Sequence, residues 1–162
     1  MSYLRASLVA QIVLALYFEA IIWFPLGAWN DQPGKRLIKV VRSGEAPVAA
    51  FGLGLVMLLP VLLFALAYWR RWSWLMWLGL FGYGVWAVLH IWSWWIPYIF
   101  GADQTALRNQ KFLERTTKIL PSFPNHPAPD AMHFVLDLLL FSVVGLTAVA
   151  LFKRRRKLLV QA

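Results

Sequence analysis

Residues 131–152 read AMHFVLDLLLFSVVGLTAVALF, and this stretch decides the fold class. Its ionisable side chains are His133 and Asp137, and the rest of the stretch is apolar or small. A helix rises about 1.5 Å per residue, so a run of this length crosses the roughly 30 Å hydrocarbon core of a bilayer. The stretch therefore predicts a membrane-spanning helix, and Asp130 just before it can cap the first amides of that helix.

Three further segments match this one in length and apolar character, at residues 6–24, 48–69 and 73–97. The chain of 162 residues is 60% hydrophobic and only 14% charged, with a mean hydropathy of +0.61 and no cysteine. A soluble domain carries about a quarter charged residues. The composition therefore excludes a cytosolic enzyme, a disordered tail and a disulfide scaffold. We predict an all-α polytopic membrane protein, a four-helix transmembrane bundle that forms one domain over residues 1–162.

The charged residues lie mainly at the borders of the apolar segments. The 16 Lys and Arg against seven Asp and Glu could suit nucleic acid or a membrane surface. Their position beside the spans favours the bilayer and its anionic lipid headgroups as partners and argues against nucleic acid, while a homo-oligomer stays open. The dense run at Lys153–Lys157 and the short turn at Arg70 and Arg71 predict that both termini are cytoplasmic, in a plasma or bacterial inner membrane.

The two connections on the opposite side are basic and amphipathic. Residues 34–43 and 104–120 are predicted as short interfacial helices, which either anchor to headgroup phosphates or form cationic lids over a pocket. In the second interpretation, Arg108 and Arg115 contact a substrate. Residues 121–129 read PSFPNHPAP, which contains too much proline for a helix, and they are predicted to cross the mouth of the bundle as an extended strap.

Four ionisable residues lie inside the predicted spans, namely Glu19, His90, His133 and Asp137. An ionisable group in hydrocarbon is costly unless it is paired, so each of these is a candidate functional residue. From the helix rise, Glu19, His90 and Asp137 lie roughly 8–10 Å below one membrane face, and His133 lies roughly 3 Å below it. This shared depth predicts one polar site near the lidded, extracytoplasmic face.

The residues around the candidate site predict a pocket. Tyr83, Trp86 and Trp94 recur on one helical stripe with His90, so we expect them to line a substrate-binding wall. The opposite half of the membrane contains few polar residues, which favours a closed-ended pocket over a path through the bilayer. Those residues are Gln11, Tyr17, Ser142 and Thr147.

Several kinds of chemistry are open to two carboxylates and two imidazoles. All four could bind a divalent metal such as Zn, Fe or Mn. Without a metal, His90 and Asp137 could act as a base and its orienting partner, with Glu19 as the complementary acid. We predict a site that binds or transforms a small or lipid-like molecule. The alternatives are a proton-coupled or ion transporter, and a non-catalytic structural or interaction protein in which these polar groups join helices.

Overall fold

The computed structural model describes residues 3–24, 27–29, 47–104, 107 and 116–160, and every regular element in these ranges is helical. The third long helix continues through a π-helical turn at Ile91–Trp95 into a short helix at Ile96–Phe100. A single 3-10 turn at Gly27–Trp29 follows the first helix. The long helices are α1 (Tyr3–Trp23), α2 (Pro47–Arg70), α3 (Ser73–His90) and α4 (Ala131–Val160).

The four long helices contact one another in a closed ring. α1 packs against α2 and α4, and α3 packs against the same two helices. A tight turn at Arg71 and Trp72 joins α2 to α3, and the Trp72 amide donates to the Ala67 carbonyl at 2.9 Å. Short connections between antiparallel neighbours are typical of up-and-down helical bundles.

Three helices in the described part of the chain are long and apolar enough to cross a membrane, and they identify an integral membrane protein. They are Tyr3–Ile21, Ser73–Phe100 and Ala131–Arg156. In α2 the side chains are described from Leu58 onward, and Leu58–Arg70 is a shorter apolar helix. The prediction of membrane-spanning helices is thus confirmed for three of the four segments, and the span at residues 48–69 stays a prediction.

The interior of the ring holds two groups of buried apolar side chains. One is centred on Leu14, Leu136 and Leu140, and the other on Phe64 and Met76. Large apolar side chains also cover the outside of the ring: Leu16 is 63% exposed and Phe81 is 68% exposed. Lipid chains solvate an apolar exterior, so this surface fits the membrane protein that the composition predicts.

Two helices extend beyond their predicted ends. α4 was expected to end at Phe152 but continues through the basic run to Val160, because Lys and Arg are good helix formers and a cation near the last turn is favoured by the helix dipole. The third predicted span was expected to end at Pro97, but α3 together with the π-helical turn and the short helix after it, here called the extended α3, runs to Phe100. The amide that Pro97 lacks does not end the helix, because the π-helical turn before it changes the hydrogen-bonding pattern there.

The predicted interfacial helices fall mostly outside the described residues, as do Arg108 and Arg115. Within the second, the described residues Gln104 and Leu107 are helical, as predicted. At residues 116–120 the helix prediction is wrong, because the chain there has bends and a bridge instead of helical turns. Lys118 forms an antiparallel bridge with Asp130, and the Ala131 amide donates to the Thr117 carbonyl at 2.8 Å. Pairing with the residues before α4 therefore replaces helical hydrogen bonds.

The proline-rich segment is a closed loop rather than a straight strap. Its base is the bridge at Lys118 and Asp130, and its tip is a tight turn in which Phe123 and His126 exchange two backbone hydrogen bonds of 3.2 and 2.9 Å. The tip lies on the far end of the extended α3, where the Ala102 amide donates to the Asn125 carbonyl and His126 Nδ1 donates to the Tyr98 carbonyl. The loop therefore bridges the start of α4 and the end of the third span.

Candidate functional site

A buried histidine–aspartate pair joins α3 and α4. His90 Nδ1 lies 2.7 Å from Asp137 Oδ1, and the side chains of these two residues are 13% and 2% exposed. Trp95 Nε1 donates to the second oxygen, Asp137 Oδ2, at 2.8 Å. Both carboxylate oxygens therefore accept hydrogen bonds from the extended α3, which offsets the cost of burying this group.

The π-helical turn explains how His90 and Trp95 reach the same carboxylate. Residues five apart do not share a face in a regular α-helix, but they do in a turn with i to i+5 hydrogen bonds. The Ile96 amide donates to the Ile91 carbonyl, which is such a bond. Pro97 favours this wider turn, because its ring would clash with the carbonyl four residues earlier in a regular α-helix.

A second pair of the same type lies at the beginning of α4. His133 Nδ1 is 2.7 Å from Asp130 Oδ1, which also accepts the His133 amide at 2.8 Å as the helix cap expected from the sequence. Thr116 donates its hydroxyl to Asp130 Oδ2 at 3.1 Å. Burial alone would raise the pKa of Asp130, but the hydrogen bonds and charge of His133, with the Thr116 hydroxyl, outweigh burial and hold this pKa below its ordinary value.

The two imidazole rings face each other between aromatic side chains. The centroids of the His90 and His133 rings are 5.9 Å apart, and the ring planes are tilted by 33°. Trp94 stacks on His133 with 3.7 Å between centroids, and Trp86 meets His90 edge-on at 5.9 Å. Two of the three predicted wall residues therefore lie beside the imidazoles. The third, Tyr83, lies deeper and directs its hydroxyl to Gln11.

The structure brings the predicted residues together in pairs. His90 joins Asp137 as one pair, whereas His133 joins Asp130, a residue that sequence reasoning assigned only to capping. Glu19 is half-buried and follows Phe18, whose ring meets Trp86 edge-on at 5.8 Å, one helical turn below His90. In the described part of the chain, no group of three or more metal-binding side chains is arranged to hold an ion, so the predicted metal set is not assembled there.

A second polar cluster, deeper in the bundle, was not predicted as a unit. Ser7 and Thr147 share a hydrogen bond of 2.6 Å between α1 and α4, Gln11 donates to Ser7 at 3.3 Å, and Tyr83 donates to Gln11 at 3.4 Å. Ser7, Gln11 and Thr147 are fully buried. The spacing of Ser7 and Gln11, four residues apart in an apolar helix, is the signal that could have indicated this cluster.

The other two inner polar residues lie outside this cluster, and the Tyr17 hydroxyl accepts from Trp29 Nε1 at 3.3 Å. Tyr17 donates to the Met132 carbonyl at 2.9 Å, and Ser142 donates to the Leu138 carbonyl of its own helix.

Comparison with known proteins adds no relative to these observations, since no family model, curated protein or solved structure matches the chain. The class of protein is therefore defined by its own features: a helical integral membrane protein with paired imidazoles and carboxylates where α3 and α4 meet.

Proposed function

We propose that this protein binds a small or lipid-like molecule at the site formed by His90 and His133, and that His90 exchanges a proton with it. The observation that carries the proposal is the buried Asp137 carboxylate, which holds His90 Nδ1 at 2.7 Å while Trp95 holds its other oxygen. A carboxylate on Nδ1 places the proton of the neutral ring there and leaves the lone pair on Nε2. This arrangement prepares Nε2 to act as a base.

The contacts support a division of roles. Asp137 orients His90 and would stabilise the imidazolium that forms when Nε2 takes a proton. His133, fixed in the same way by Asp130, presents a second imidazole whose ring centroid lies 5.9 Å from that of His90, so one polar group beside the two rings can contact both. The indole rings of Trp86 and Trp94 provide apolar surface for the rest of such a molecule. Glu19 as a complementary acid stays a prediction.

The proposal can be tested without knowing the molecule in advance. Wild-type protein, His90→Ala and Asp137→Asn would be extracted with their membrane into lipid nanodiscs, and the retained small molecules compared by mass spectrometry. We expect at least one species in the wild type that is depleted about tenfold in both variants, which corresponds to roughly 1.4 kcal/mol of lost binding energy. His126→Ala, which removes an imidazole bonded to the Tyr98 carbonyl, is the matched control and should retain the species. Equal retention in all four proteins would contradict the proposal.

Metal-assisted chemistry is the other form of the same proposal. It has less support, because the described residues assemble pairs rather than a group of three donors. Zn, Fe and Mn would be measured in the purified wild type and in His90→Ala and Asp137→Ala. A metal present in the wild type and lost from both variants would favour that form over proton transfer without a metal.

Transport is a second candidate, and the buried cluster of Ser7, Gln11, Tyr83 and Thr147 favours it because it adds polar groups below the imidazoles. However, Gln11 sits in the middle of the cluster, and an amide does not relay a proton as a hydroxyl does. Trp86 also lies between Tyr83 and His90. Proton flux into liposomes that carry the wild type, abolished by Asp137→Asn, would support transport, and its absence would remove it.

The fold proposal is a four-span bundle with both termini in the cytoplasm. It is supported by the closed ring of helices and by α2, which has 24 residues and packs against α1 and α3. The basic residues at the end where α1 begins and α4 ends support the orientation.

A further inference from the structure

Among the described residues, the end of the bundle where α1 begins and α4 ends carries basic side chains and no acidic ones. Lys153 lies over the Tyr3 ring at 3.9 Å, and Arg154 reaches the turn between α2 and α3, so these segments meet at one end. The seven acidic residues lie elsewhere in the sequence, at positions 19, 31, 45, 103, 114, 130 and 137. The eight basic residues of this end are Arg5, Arg70, Arg71, Lys153, Arg154, Arg155, Arg156 and Lys157.

Arg154 holds two basic segments together. Its guanidinium donates to the Arg71 carbonyl at 2.9 Å and contacts Met76 Sδ at 3.7 Å. Arg71 itself has φ of +58°, a left-handed conformation that is unfavourable for a residue other than glycine. The bond from Arg154 supports this turn and joins it to the basic run of α4.

Basic side chains gathered at the end of membrane helices attract the phosphate anions of lipid headgroups. Arg70, Arg71, Arg155 and Arg156 are exposed, so their guanidinium groups can reach such an anion. The same end carries exposed indoles, with Trp69 77% and Trp74 65% exposed. Indoles at the end of a span lie at the headgroup level, which is where lipid phosphates are found.

We propose that the two exposed arginines of the α2–α3 turn and the two after Arg154 form a binding site for the phosphate of an anionic phospholipid. The planar guanidinium group binds phosphate oxygens in pairs, which gives arginine an advantage over lysine at such a site. The location at the ends of membrane spans favours a lipid over a soluble anion, because the lipid is present at high local concentration. The site is separate from the imidazole pairs and does not depend on their function.

The experiment measures thermal stability in detergent with added lipid. Wild-type protein would be mixed with phosphatidylglycerol, phosphatidylcholine or inorganic phosphate at equal phosphate concentration. We expect phosphatidylglycerol to raise the Tm by several degrees more than either of the other two. In the variant R70Q/R71Q/R155Q/R156Q this additional increase should disappear.

Two further variants make the result decisive. K35Q/K39Q removes basic charge from the predicted opposite side and should keep the phosphatidylglycerol effect. R70K/R71K/R155K/R156K keeps the charge and removes the guanidinium geometry, so it should show a reduced effect and reports on the site even if the glutamine variant does not fold. An equal Tm increase with phosphatidylcholine, an equal effect of inorganic phosphate, or an unchanged effect in the lysine variant would each overturn the proposal.

Discussion

At the scale of single residues, Asp137 is the side chain that links α4 to two residues of the third long helix. It accepts from His90 on one oxygen and from Trp95 on the other, and its side chain is 2% exposed. Replacement by Asn would keep the shape but give one acceptor oxygen and one donor amide. The Asn amide would then lie opposite one of the two present donors, His90 Nδ1 or Trp95 Nε1. An amide opposite His90 can bond only if the His90 proton moves to Nε2.

We therefore expect Asp137→Asn to fold but to lose its function. The free energy of unfolding should fall by about 1–2 kcal/mol, the range for interhelical hydrogen bonds in membranes. Retention of the bound molecule should be lost, because a proton on Nε2 removes the base. Denaturant titration in detergent and the nanodisc measurement would be made together, with Asp103→Asn, at an exposed position, as the control. Unchanged retention in Asp137→Asn would contradict this role.

Asp130 allows a prediction about pH, because it precedes the membrane-spanning part of α4. Its pKa is lowered in the folded protein, so the contribution of Asp130 to stability is complete above the unfolded-state value of 3.8 and is lost as the pH falls through the lower folded value. Asp130→Asn should cost about 1 kcal/mol at neutral pH, because Asn still caps the helix but loses the charge-assisted hydrogen bond with His133. The difference in Tm between wild type and variant should shrink below pH 3.8. A difference that grows on acidification would contradict the assignment.

At the scale of helices, the sequence predicted where the spans lie but not how their polar residues pair. His133 is three residues from Asp130 and four from Asp137, and both spacings allow a contact on a helix. Asp130 forms the contact in the structure, because as a helix cap it already lies beside the first turn. The π-helical turn also could not be predicted from the sequence, because the hydrophobic pattern of residues 91–95 does not show which carbonyl each amide bonds to. Trp95 was therefore missed, although Trp94 was predicted.

The contact between α1 and α4 gives a prediction at the same scale. Ser7 and Thr147 share a buried hydrogen bond of 2.6 Å. Thr147→Val keeps the shape and removes the hydroxyl, so it should lower the free energy of unfolding by about 0.6–1.7 kcal/mol. Adding Ser7→Ala should cost only the further bond that Gln11 donates to Ser7. Ser142→Ala is the matched control, because that hydroxyl is exposed and donates within its own helix. Additive losses from Ser7→Ala and Thr147→Val would show that the two hydroxyls do not act as a pair.

At the scale of the whole molecule, the cross-helix contacts agree with the depths calculated from the sequence. Tyr17 meets Met132, Phe18 meets Trp86, and His90 meets Asp137, which places three helices in one register. Depth could be calculated because a span has a fixed rise and fixed borders. The structure of the connection before α4 could not be predicted in this way. Residues 117 and 118 pair with residues 130 and 131, and such a pairing leaves no periodic pattern in the sequence.

The orientation in the membrane is the last prediction, and it connects the two proposed sites. The positive-inside rule places the end with Arg70, Arg71 and the run at 153–157 in the cytoplasm, which puts the imidazole pairs near the outer face. Since the chain has no native cysteine, a single introduced cysteine reports one position without background. In intact cells, a membrane-impermeant thiol reagent should label Gln104→Cys and should label Ala162→Cys only after the membrane is opened. The reverse pattern would place the basic end outside. It would also mean that a ligand reaches the imidazoles from the cytoplasmic side.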